Sequence, residues 1–107
     1  MEVSRSPIPY RIKEARLRKG VSQKSLGIQI GFDEGSASSR MNHYEKGRHT
    51  PDINTLKKIA EELDVPLAYF FCESDLNAEL SCLISKLSDE KKQLLINELS
   101  SFLADKI

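Results

Sequence analysis

The chain has 107 residues, 16 basic and 16 acidic, with two cysteines and no net formal charge. That is room for one domain with a modest core and a small appendage. Its longest apolar run, around residues 67–72, is far short of the roughly 20 residues that span a bilayer. Two cysteines without a CxxC spacing, Cys72 and Cys82, form neither a disulfide framework nor a metal cluster. The even balance hides an asymmetry: residues 1–60 carry 12 Lys or Arg against 6 Asp or Glu, and residues 61–107 carry 4 against 10. A basic half favours a nucleic-acid partner, because charge acts locally and is screened within about 8 Å at physiological salt. Basic residues that merely solvate helices would give the same count. With no apolar leader in residues 1–10, the expectation is a soluble cytoplasmic protein with both cysteines reduced and partly buried.

No stretch alternates apolar and polar residues for long, so the expected class is all-α. Residues 1–8 read as an extended arm. A first helix runs from Pro9 to Lys19 with Ile12, Ala15 and Leu17 inward, and Gly20 closes it in a left-handed C-cap. Ser22 caps a second helix, which Gly31 stops; Leu26 and Ile30 share one face. "FDEGSA", residues 32–37, is a turn whose Asp, Gly and Ser supply local hydrogen bonds and positive φ. "SSRMNHYEKG", residues 38–47, is a third helix with an apolar seam of only Met41 and Tyr44. Asp52 caps a fourth, whose Ile53, Leu56, Ile59, Ala60 and Leu63 form a core-facing stripe. Pro66 opens a short fifth helix with Leu67, Phe70 and Phe71 as its apolar side. Leu76, Leu80, Leu83, Ile84 and Leu87 make one amphipathic helix. Ser88, Asp89 and Glu90 start another, with Leu95, Leu99, Phe102 and Leu103 as its stripe.

Two short helices joined by a Gly-containing turn and followed by a longer apolar helix make the helix-turn-helix pattern. In that arrangement the first helix of the pair crosses the DNA backbone and the second enters the major groove. A groove-seated helix needs a polar outer face and only a thin seam to the core. Residues 38–47 have that composition, and Ser, Asn and His can hydrogen-bond to base edges. A solvated surface helix would share it.

"RIKEARLRKGVSQKSLG", "MNHYEKGRHTPDINTLKKIAEELDV" and "PLAYFF" carry a more specific signal. Across residues 10–71 the chain resembles the DNA-binding domain of the Xre/Cro/C1 family of phage-repressor-like regulators. Two departures stand out. Residues 31–45 are longer than the family's usual span, with the excess at residues 33–36, which brings two acids close to DNA. Gly27 replaces the usual Ala. The resemblance implies a five-helix repressor-like domain over residues 9–72; the apolar pattern adds one or two amphipathic helices in residues 73–107. It implies that Ser38, Ser39 and His43 read bases, with Asn42 beside them. Gln23 would bond a phosphate, and also a side chain of the reading helix; Arg40, Lys46 and Arg48 are further phosphate candidates. Lys24 is either a contact or a solvated cation. Phosphate contacts position such a domain without carrying sequence information. The resemblance also pairs Glu45 with Arg16 as a structural bridge, where a lone carboxylate could be mistaken for a catalytic one.

The implied function is a DNA-binding transcriptional regulator, a repressor acting as a homodimer on an inverted repeat. Residues 76–107 would form the dimer, and the short tail leaves no room for a small-molecule sensor. Rival readings are an antitoxin or restriction-system controller of the same fold, and a protein-interaction adaptor, which the acidic insertion and zero net charge favour. The tail could instead fold back over Phe70 and Phe71 in a monomer. His43 and His49 have no matching Cys or carboxylate pattern for zinc. No phosphate cradle, nucleophile elbow or HExxH motif supports an enzyme, and no cofactor is expected.

Overall fold

A computed structural model of the chain describes residues 6–104, and every regular element among them is helical. The order is α1 (Ile8–Lys19), α2 (Gln23–Gln29), α3 (Ala37–Glu45), α4 (Ile53–Leu63), a 3-10 helix (Leu67–Phe71), α5 (Asp75–Ser85) and α6 (Asp89–Ala104). The first four helices and the 3-10 helix form the repressor-like body. The expected arm lies outside the described residues as far as residue 5. α1 begins one residue earlier than its composition suggests, with Pro7 at the N-cap, where proline's missing N–H is harmless.

Capping chemistry explains the boundaries. Ser22 Oγ accepts from the Ser25 N–H at 2.9 Å, Asp52 Oδ1 from Thr55 at 2.8 Å, Ser74 Oγ from Asn77 at 3.0 Å and Ser88 Oγ from Lys91 at 3.2 Å. Each satisfies one of the donors a helix start leaves open. Gly20 ends α1 at φ 79°, and its N–H reaches the Arg16 and Leu17 carbonyls.

The core gathers Ile8, Ile12 and Ala15 from α1, Leu26 and Ile30, Met41 and Tyr44, then Leu56, Ile59, Ala60 and Leu63 from α4, with Tyr69 and Phe70 closing it. Burying a Leu or Ile side chain contributes about 1.5–3 kcal/mol, so the α4 stripe is a main hydrophobic support of the body. Cys72 and Cys82 are free and lie half-buried against this core.

Three inward assignments are corrected. Leu17 is 59% exposed: α1 turns its Ile8, Ile12 and Ala15 side to the core, with Arg11 and Arg16 beside it. Ile53 is exposed, so the α4 stripe starts at Leu56. Phe71 is exposed while Tyr69 is buried with Phe70. The 3-10 helix turns every three residues, and Tyr69 can be buried because its hydroxyl has a partner.

That partner is Glu14, to which the Tyr69 hydroxyl donates. Glu14 also receives Arg11 Nη1 at 2.9 Å. Arg11 is fully buried; its Nε donates to the Cys72 carbonyl at 2.9 Å, and its Nη1 lies 3.1 Å from Asp75 Oδ1. These bonds fasten α1 to the end of the 3-10 helix and the start of α5. Burial alone would raise the Glu14 carboxyl, but bonds from Tyr69 and Arg11, with the Arg11 charge, hold it below its ordinary 4.5. Burial and the Glu14 carboxylate push the Tyr69 hydroxyl well above its ordinary 10.0.

α2 and α3 cross at Gly27. A Cβ there would sit 2.8 Å from both the Ala37 Cβ and the Ala37 carbonyl oxygen. The unusual glycine thus permits an approach that alanine would block.

Beyond the body, α5 packs on the 3-10 helix with Ala78 as its one buried residue. Leu76, Leu80, Leu83 and Ile84 stay exposed, and α6 buries no residue. The described chain has a radius of gyration of 16.5 Å, against about 13 Å for a compact domain near this length. α6 therefore extends away from the body; Phe70 is already buried in the core, and Phe71 stays exposed.

Gly27→Ala should lower stability by about 1–3 kcal/mol through overpacking, against a gain of about 1 kcal/mol in helix propensity. Urea unfolding would measure the balance, and a rise in stability of about 1 kcal/mol, the propensity gain alone, would mean the helices can separate freely. The Glu14 contribution should be full above pH 4.5 and fade as pH falls through the lowered folded value. Tyr69 should contribute fully below pH 10.0 and less as pH rises beyond it. Thermal melts of Glu14→Gln should accordingly show a lower Tm at neutral pH and a flatter acid limb than the parent.

Candidate nucleic-acid interface

The third helix divides its surface sharply. Ala37, Met41 and Tyr44 are buried; Ser38, Ser39 and Arg40 are exposed; Asn42 and His43 are half-buried. Ala37 joins the expected seam because α2 presses against it at Gly27. Ser39 and His43 are four apart and share the outward face, as do Ser38 and Asn42 nearer α2.

A buried polar centre fixes this helix on the body. Arg16 donates Nε to Glu45 Oε2 at 2.6 Å and Nη2 to Oε1 at 3.0 Å, and its Nη1 reaches the Val21 carbonyl at 2.9 Å. Gln23 Nε2 donates to Glu45 Oε1 at 3.1 Å and to Asn42 Oδ1 at 3.2 Å. The Arg16 and Glu45 side chains are only 10% and 2% exposed. One carboxylate therefore links α1, the start of α2 and the end of α3. Among the described residues no buried side-chain nitrogen or oxygen lacks a partner, the condition under which a buried charge pair holds rather than strains a fold.

The remaining candidates surround the outer face. Both Gln23 amide hydrogens are engaged by Glu45 and Asn42, which leaves its carbonyl, an acceptor with no bond to offer a phosphate. Asn42 has its Oδ1 occupied, but its own amide group is left to donate. Lys24 lies 3.4 Å from Glu34 of the inserted turn, both well exposed. Arg40 stacks on Phe32 of the same turn, its guanidinium carbon 3.7 Å from the ring centroid. Lys46 and Arg48 are exposed in the turn after α3. Gly47, at φ 77°, lets the Arg48 N–H return to the His43 carbonyl at 2.9 Å.

The His43 and His49 rings meet edge to face with centroids 5.0 Å apart. Among the described residues no group of three or more His, Cys, Asp or Glu could hold a metal. Likewise, no helix among them is long and apolar enough to cross a membrane.

The acids of the inserted turn are visible in the sequence, but the pairing of Glu34 with Lys24 and the ring that Phe32 offers Arg40 are not, because residues 32–37 read as turn formers. The available signal was an aromatic placed directly after Gly31, which a purely solvated turn does not need.

Arg16→Ala or Glu45→Ala should each lower stability by about 3–5 kcal/mol, because each leaves a buried charge unpaired. The double variant should lose less than the sum. Melts followed by circular dichroism would check this, and strict additivity would show that the two side chains act independently.

A family model described as a helix-turn-helix domain matches residues 10–73. The HTH-type transcriptional regulator ImmR of Bacillus subtilis (strain 168) is 26% identical over 97 residues, spanning 82% of this chain and 73% of ImmR. The crystal structure of transcriptional regulator BswR is similar at a TM-score of 0.83 and 44% identity, covering 94% of this chain and 99% of that one. The chain belongs to the helix-turn-helix family and, within it, to the Xre-type DNA-binding transcriptional regulators.

Proposed function

We propose that this regulator binds specific duplex DNA as a homodimer on an inverted repeat and represses transcription by occluding a promoter. The observation that carries the reading is the two-sided third helix. Its inner seam and Glu45 are locked to α1 and α2, while Ser38, Ser39 and His43 face outward. In the major groove these side chains read base edges, with Asn42 at the flank. Lys46 and Arg48 meet phosphates after α3, and Lys24 joins them when Glu34 releases it. Gln23 acts by holding Glu45 and Asn42 in place. No small-molecule effector and no cofactor enter this reading, and nothing in the site suggests catalysis. The exposed Lys24–Glu34 pair favours one alternative, an adaptor that has kept the fold, because an acid beside the reading helix repels DNA.

The dimer follows from uncovered apolar surface. Leu76, Leu80 and Leu83 on α5, with Ile96, Leu99 and Leu103 on α6, are each about half exposed or more. A 16-residue helix with no buried side chain is marginal by itself in water. A second copy covers this surface and supplies a two-fold axis, which sets two reading helices about 34 Å apart for successive major grooves.

A mobility-shift titration should show affinity falling about 10³-fold between 50 and 200 mM salt, if about six phosphates are neutralised. A flat salt response would favour the adaptor. Ser39→Ala or His43→Ala should relax preference at one or two base pairs at about 1–3 kcal/mol each, whereas Lys46→Ala should weaken all sequences alike. Equilibrium sedimentation should find a dimer at micromolar concentration, and Leu99→Glu combined with Leu103→Glu should shift it to monomer. A monomeric parent chain would remove the dimer from the account.

A further inference from the structure

The inserted turn builds a platform for one side chain of the reading helix. The Phe32 N–H bonds to the Gly27 carbonyl at 2.9 Å, and its half-buried ring rests against Tyr44 with centroids 6.2 Å apart. Farther along, the Asp33 carbonyl accepts from the Ser36 and Ala37 N–H groups, tying the turn to the start of α3. Phe32 is therefore held from both sides. The Arg40 guanidinium lies over its ring at 3.7 Å. At that separation the group sits on the ring face. Among the described residues those donors meet no protein acceptor.

A phosphate needs only a positive charge nearby, and a free lysine would serve. A guanidinium stacked on an anchored ring offers more: a planar fork whose orientation is set before the ligand arrives. That fork matches the O6 and N7 acceptors on the major-groove edge of guanine. Arg40 is in the first turns of α3, one residue after Ser39 and three before His43, so it borders the outward face. We propose that Arg40 reads a guanine in each half-site and that Phe32 is the positioning residue that holds it for that contact. This rests on the DNA-binding reading above and reassigns Arg40 from backbone to base.

The test is selection of bound duplexes from a random library by the intact chain, by Arg40→Lys and by Phe32→Leu, with Tm recorded for each. The parent should select a guanine at a fixed position in each half-site. Arg40→Lys keeps the charge but not the fork. It should lose that preference alone, bind the parent's best site about 5- to 150-fold more weakly, and keep the parent's salt slope. Phe32→Leu should weaken the same preference while the rest of the motif stays. Replacing the selected guanine by 7-deazaguanine should weaken the parent, a readout that does not depend on how a variant folds, and should leave Arg40→Lys unaffected. A guanine preference that survives Arg40→Lys overturns the inference and leaves the DNA-binding reading standing. A motif that changes in Arg40→Lys but not in a folded Phe32→Leu removes the positioning role. Failure of the parent to select any motif counts against the DNA-binding reading itself.

Discussion

The Glu45 carboxylate is the constraint on which the rest of the interface depends. It receives two bonds from Arg16 and one from Gln23, so three segments of the chain converge on one buried anion. Without it α3 would be held mainly by Ala37, Met41 and Tyr44, a seam too narrow to set the helix's rotation. Rotation matters because base readers must point into the groove, and a helix free to roll would present them at random. The polar centre supplies direction while the apolar seam supplies adhesion. The close crossing at Gly27 adds the third coordinate, the distance between α2 and α3.

A second buried arginine performs the same kind of task at the opposite end of α1. Arg11 gathers Glu14, Asp75 and the Cys72 carbonyl, and so connects the DNA-binding body to the start of α5. The two arginines face different partners: one orients α3, the other orients the start of α5. In a dimer whose axis passes through the tail, the spacing of the reading helices depends on both. This gives a physical reason for placing charged residues inside a small domain, where hydrophobic burial alone would not define an angle.

Much of the fold was legible because it rests on local chemistry. The caps at Ser22, Asp52 and Ser88 and the closing Gly20 are set by neighbouring backbone groups. The Leu56, Ile59 and Leu63 stripe follows from helical period. Arg11 was not legible: arginine is rarely buried, and its acceptors at Cys72 and Glu73 lie 61 and 62 residues away. Leu17 and Phe71 are exposed for the mirror reason, since the inward places near them belong to Arg16 and Tyr69, polar residues whose partners are distant in sequence. At the candidate site, the outward set of Ser38, Ser39 and His43 could be placed from family position and spacing. The engagement of Gln23 and Asn42, the Lys24–Glu34 pair and the Phe32 platform depend on how α2, α3 and the inserted turn pack, which no local pattern encodes.

The central claim is that two reading helices, each fixed by Glu45, enter successive major grooves of one duplex. Dimethyl sulfate footprinting of a selected site reports this most directly, because it modifies guanine N7 in the major groove. The account predicts two protected patches, one per half-site, centred about ten base pairs apart on one face of the duplex. A single patch, or binding with no N7 protection in a site that contains guanine in both half-sites, would contradict it.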